Sequence, residues 1–154
     1  MRDAQQWFDA YGQDHQNPTN RAIHWVCVPV ILWCVIAGLW LIPIPPMLGR
    51  QGFWAAAVMF FSFVFYYRIS RAIGLGMVLV FVVFGLATEA LYRRLGPVSL
   101  GELAAALFVL AWIGQFVGHK IEGHKPSFLT DLTYLLIGPA WLLGKLMRRV
   151  GLRY

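Results

Sequence analysis

Residues 22–42 read AIHWVCVPVILWCVIAGLWLI, twenty-one positions without an Asp, Glu, Lys or Arg. A helix of that length rises about 31 Å, the thickness of the hydrocarbon core of a bilayer. The run follows Asn17-Pro18-Thr19-Asn20 and is closed by Pro43, Pro45 and Pro46. Pro29 lies inside it, which a helix surrounded by lipid tolerates. The stretch reads as a membrane span.

Working outward, the same pattern recurs. A second span is expected at about Gly52–Tyr67, where Arg50 can snorkel to lengthen a short apolar core. A third follows at about Ala72–Tyr92, closed by Arg93-Arg94 and Gly96-Pro97, and a fourth at about Leu100–Val117. The last apolar run, Leu132–Leu143, is only twelve residues long and contains Gly138-Pro139, so it is expected to be re-entrant or interfacial. Ahead of the first span, a short amphipathic helix is expected around Gln5–Tyr11, lying at the membrane surface. The expected fold is an all-α, multi-pass membrane helix bundle of about four spans, one integral-membrane domain over residues 1–154.

Composition supports this. Of 154 residues, 59% are hydrophobic and 13% charged, against about 25% charged in a soluble domain. One small core cannot hide that apolar excess, because a domain of this size still exposes much of its surface. The net charge of +6 would suggest nucleic acid for a soluble protein. Here the basic residues sit at the ends of apolar runs, so they read as headgroup contacts and topology signals, and nucleic acid is not an expected partner. Cys27 and Cys34 lie seven apart in one run, about 10 Å along a helix and too far for a disulfide. The first twenty residues are polar, with Asp3, Asp9 and Asp14 and no signal-peptide pattern, so the first span is expected to act as its own targeting signal.

Positive charge orients the four-span arrangement. Arg2, Arg21, Arg68, Arg71, Lys120, Lys125, Lys145, Arg148, Arg149 and Arg153 fall on one side, and Arg50, Arg93 and Arg94 on the other. The richer side is expected to be cytoplasmic, with both termini. Were 132–143 to span, the last four charges would cross and the bias would vanish. The membrane would be the inner membrane of a bacterium or the endoplasmic reticulum of a eukaryote.

The chain has four histidines, and none lies mid-span. His15 and His24 flank the start of the first span, and His119 and His124 follow the end of the fourth. The topology brings all four to one layer on the cytoplasmic side. Neutral imidazole is the commonest metal ligand, and converging histidines suit zinc or iron. The competing reading, amphipathic interfacial caps, suits any single histidine better than four on one side. Gly123 suggests a helix end between His119 and His124, and Pro18 a turn between His15 and His24. Nearby, Glu122 is a candidate ligand, an orienter of a histidine, or a solvated partner of Lys120 or Lys125. Asn20 is expected to cap the first span. Gln115, one turn before His119, is a candidate for a bond between helices. Glu89 is expected to snorkel or to pair with Arg93 rather than to be catalytic. The tryptophans, Trp25, Trp33, Trp40, Trp54, Trp112 and Trp141, read as belt or core residues. No Walker loop, dinucleotide fingerprint or Ser-His-Asp arrangement is present.

Two stretches carry a resemblance. The first is Tyr11-x3-His15-x4-Asn20-x3-His24-x4-Pro29, and the second is Gln115-Phe116-Val117-Gly118-His119 followed by Glu122-Gly123 and Pro126. Together they resemble the membrane-embedded 2-hydroxy fatty acid dioxygenase family of fatty acid α-oxidation. The likeness covers nearly the whole chain, since the motifs sit at both ends. It implies iron(II), with zinc as a substitute in a purified sample, and dioxygen. It also implies a long-chain 2-hydroxy fatty acid that leaves one carbon shorter. His15, His24 and His119 match the histidine positions of the family and would be catalytic ligands, with His124 a further candidate. Asn20, Glu122, Gln115, Tyr11, Arg21 and Lys120 would surround the metal or substrate, and Arg21, Lys120 and Lys125 could attract a carboxylate. Two other classes fit less well. They are a haem-binding membrane electron carrier with histidines as axial ligands, and a lipid-binding or assembly protein without catalysis.

Overall fold

The computed structural model describes residues 4–45, 47, 49–123, 125 and 132–154. They form five α-helices, with no strand among them.

The first helix, α1 (Ala4–Gln13), buries Ala4, Phe8 and Tyr11, which the four- and three-residue spacing puts on one face. That face packs on α5 (Tyr134–Arg149). Phe8 meets the Tyr154 ring edge-on at 5.4 Å. A Cβ on Gly144 would lie 2.8 Å from the Phe8 ring, so a glycine is required for this approach. The expected amphipathic helix is therefore present, and it packs on the carboxyl-terminal helix.

The second helix, α2 (Pro18–Leu41), begins with Asn17 as its N-cap and proline in its first turn, and runs through Pro29. The Asn17 side chain accepts from the Thr19 and Asn20 amides. This corrects the expectation that Asn20 is the cap. Pro18 has no amide hydrogen and suits the first helical position, which puts the cap one residue before it. Asn20 lies one turn inside and is free for another task.

The third helix, α3 (Phe53–Ile69), is apolar but only 17 residues long. The fourth, α4 (Arg71–Glu122), is 52 residues long and is interrupted at Gly96, whose φ of 76° and ψ of 171° are not helical. The break at Gly96-Pro97 is the expected one, while Arg93-Arg94 does not end the helix. The helix continues through Arg93 and Arg94, and the chain changes direction at one glycine followed by Pro97. Arg93 bonds Glu89 at 2.5 Å one turn earlier, as expected. Both ends of α4 lie beside the same turn of α2. Ala72 shares a groove wall with Trp25, while His119 meets His24 with ring centroids 5.1 Å apart. The two arms of α4 therefore double back at Gly96.

The fifth helix starts near the expected Leu132 but runs on to Arg149, carrying Lys145, Arg148 and Arg149 within it. Its early turn is fixed by the Tyr66 hydroxyl, which donates to the Leu136 carbonyl at 2.9 Å.

By length and composition, α2 and α4 are apolar enough to cross a membrane. Large side chains such as Phe61, Leu79, Leu86 and Leu110 are more than 60% exposed. An apolar exterior of that kind marks contact with lipid or protein.

Candidate metal centre

His15 sits in the turn between α1 and α2, His24 is on the second turn of α2, and His119 is on the last turn of α4. All three are at least 95% buried. The Nδ1 of His15 lies 2.6 Å from the Tyr11 carbonyl, and that of His24 lies 2.9 Å from the Asn20 carbonyl. A carbonyl only accepts, so this network puts the hydrogen of each ring on Nδ1 and leaves a lone pair on each Nε2. The two Nε2 atoms face each other at 3.0 Å.

Two lone pairs at that distance repel unless a proton or a metal ion lies between them. A shared proton would make one ring an imidazolium, and burial pushes the His15 pKa below its ordinary value. A metal cation fits better. The ring of His119 completes the triangle, with its centroid 5.0 Å from that of His15. One ligand atom from each histidine lies within 4.8 Å of the others. His119 Nδ1 is buried without a hydrogen-bond partner among the described residues. These residues could hold one metal ion.

The helices approach closely enough for this only because α4 carries glycines opposite α2. A Cβ on Gly118 would lie 2.4 Å from Asn20 Oδ1, and one on Gly114 would lie 2.7 Å from Cys27 Sγ. Glu122 then ties the His15 turn to α4. Its carboxylate accepts from the Gln16 amide at 2.7 Å, the Asn17 amide at 2.9 Å and Asn20 Nδ2 at 2.9 Å. Glu122 thus holds the histidine-bearing segment and stands outside the histidine cluster. Two rings support His15 from the side. Tyr11 stacks on it at 4.1 Å, and Trp141 lies 5.5 Å away. The Lys145 ammonium sits 3.6 Å from the centre of the Trp141 ring.

An apolar cavity of about 300 Å³ opens from the cluster. His24, His119, Gln115 and Tyr11 contribute its polar part. Val28, Ile31, Leu32 and Trp112 continue it, Val35 and Phe108 lie furthest along their helices, and Tyr134, Leu136, Gly138 and Pro139 of the fifth helix flank it.

The structure thus brings together His15, His24, His119, Tyr11, Asn20, Glu122 and Gln115. Arg21 is partly buried near this layer and adds to the positive field at Lys145. Lys120 and Lys125 are exposed. His124 lies outside the described residues. Sequence reasoning missed Trp141 and Lys145 as neighbours of the site, because only the placement of α5 brings them there. It also missed Gly114 and Gly118, whose four-residue spacing on one helix face was a readable signal of close helix contact.

Buried imidazoles from two helices and a preceding turn, at the end of an apolar cavity, define an all-helical protein with a candidate three-histidine metal centre. The family model described as 2-hydroxy-palmitic acid dioxygenase Mpo1-like matches residues 1–150, and the chain belongs to that family. No curated protein and no solved structure matches the chain.

Proposed function

We propose that the protein is an iron(II)-dependent dioxygenase that converts a long-chain 2-hydroxy fatty acid to the fatty acid one carbon shorter. The observation that carries this reading is the pair of Nε2 lone pairs, 3.0 Å apart, beside His119 at the polar end of an apolar cavity. His15, His24 and His119 are the catalytic ligands of one ion, with zinc able to replace iron during purification. Held by these three residues, an ion would supply redox chemistry with dioxygen and Lewis acidity toward the adjacent hydroxyl and carboxylate of the substrate.

The chain's own residues do the rest. The Tyr11 and Asn20 carbonyls fix the tautomers of two ligands, and Glu122 fixes the turn that carries His15. The apolar cavity receives the acyl tail and keeps water from it. The Lys145 ammonium, with Arg21 nearby, attracts the substrate carboxylate to this layer. In the overall reaction, a 2-hydroxy acid and one dioxygen give the shortened acid, carbon dioxide and water. The substrate supplies all four electrons, so 2-oxoglutarate is not required. We place four spans in the bilayer, formed by α2, α3 and the two arms of α4, with both termini cytoplasmic and one domain throughout.

A haem carrier fits less well, because a 3.0 Å gap between Nε2 atoms leaves no room for a porphyrin plane. The test is to supply membranes containing the protein with iron(II), dioxygen and 2-hydroxypalmitate and to analyse the lipid acids by mass spectrometry. Pentadecanoate that disappears with a chelator supports the reading. No shortened acid from any 2-hydroxy acid overturns it.

A further inference from the structure

The cavity has two unlike ends. On α2, His24 and Val35 are eleven residues apart, and on α4 so are His119 and Phe108. Each pair spans about 16 Å of helix. An extended chain advances about 1.2 Å per bond, so the passage accepts about thirteen bonds beyond a polar head held at the histidine cluster. At the histidine end the walls are buried. At the other end Val35 is 42% exposed and Phe108 36%. These side chains are large and apolar, and they form an open rim where a blind pocket would have a floor.

We propose that this rim is a lateral portal through which the acyl tail of the substrate passes between α2 and the second arm of α4 into the bilayer. The inference rests on the dioxygenase reading, which supplies the occupant. Continuity with the histidine cluster places the polar head, and the apolar walls place the tail. The consequence is a lower limit on chain length without an upper one. Short 2-hydroxy acids leave the passage unfilled. Chains longer than about sixteen carbons extend past the rim into lipid and gain nothing more from the protein.

The test compares kcat/KM for 2-hydroxyoctanoate, 2-hydroxypalmitate and 2-hydroxylignocerate in the wild type, Val35→Trp and Val109→Trp. Val109 is exposed on the same arm and lines no part of the cavity, so its variant reports the effect of a lipid-facing tryptophan alone. The wild type should favour palmitate over octanoate and treat lignocerate much as palmitate. In Val35→Trp the palmitate-to-octanoate ratio should fall about tenfold or more, the scale set by methylenes that lose their place in an apolar pocket. Val109→Trp should keep the wild-type ratio. A second readout needs no turnover: 2-hydroxypalmitate with a diazirine near its tail should label the peptides around Val35 and Phe108, and unlabelled 2-hydroxypalmitate should compete. Turnover with a wild-type ratio in Val35→Trp, or with lignocerate rejected, overturns the portal and leaves the dioxygenase reading intact. Labelling at the rim without any shortened product supports the portal and overturns the dioxygenase reading. Labelling elsewhere overturns the portal.

Discussion

Asn20 and Glu122, 102 positions apart in the chain, meet where Asn20 Nδ2 donates to the Glu122 carboxylate at 2.9 Å. The same carboxylate holds two backbone amides of the turn that carries His15. One acidic side chain therefore sets the position of the His15 segment relative to α4, which carries His119.

Glu122→Ala should weaken metal retention about 10- to 100-fold, the usual cost of losing a group that positions ligands. Glu122→Gln keeps the shape and can accept from the amides, so it should fall between the two. Iron retained after dialysis against a graded chelator series measures this. Loss of the helical circular-dichroism signal in either variant would instead assign Glu122 to the fold as a whole.

Gly118→Ala should be damaging out of proportion to its size. The added methyl would stand 2.4 Å from Asn20 Oδ1, and overpacking at such a contact costs about 1–3 kcal/mol. The expected result is a lower unfolding temperature in detergent together with poorer metal retention, because α2 and α4 must separate where His24 meets His119. Combining it with Asn20→Gly should recover part of the loss in stability. A Gly118→Ala protein as stable as the wild type would reject this contact.

Much of this site was legible in the sequence. Histidines absent from mid-span positions but present at the ends of two runs had to share a layer, and His15, His24 and His119 do converge. Other features depend on atoms that pattern does not encode. Asn20 looked like a cap, but Pro18 moved the cap to Asn17 and left Asn20 for Glu122. Of the two expected closing signals, Gly96-Pro97 held, because the reversal needs a positive φ, and Arg93-Arg94 did not, because arginine is a good helix former. Lys145 was counted only as a topology charge. Its place on Trp141, beside His15, follows from the docking of α5, which no periodicity specifies.

Acid should destabilise the metal-free protein. Burial holds the His15 pKa below its ordinary value, so the unfolded chain binds a proton that the folded chain refuses. Stability is therefore greatest above about pH 6.5 and falls as the pH drops below that value. Thermal unfolding of chelator-treated protein at neutral and mildly acidic pH would show this. His15→Gln should flatten the dependence, and an unchanged slope in that variant would assign the effect to other groups.

The central claim is that His15, His24 and His119 hold one iron ion between them. Elemental analysis of protein purified in detergent under anaerobic conditions, for the wild type and for His15→Ala, His24→Ala and His119→Ala, tests it most directly. The account predicts about one iron, or iron plus zinc, per wild-type chain and a loss of most of it in each variant, with helical content retained, because lipid or detergent contact and helix contacts hold the bundle. A wild-type protein free of metal after iron supplementation, or three variants that retain the wild-type amount, would contradict it.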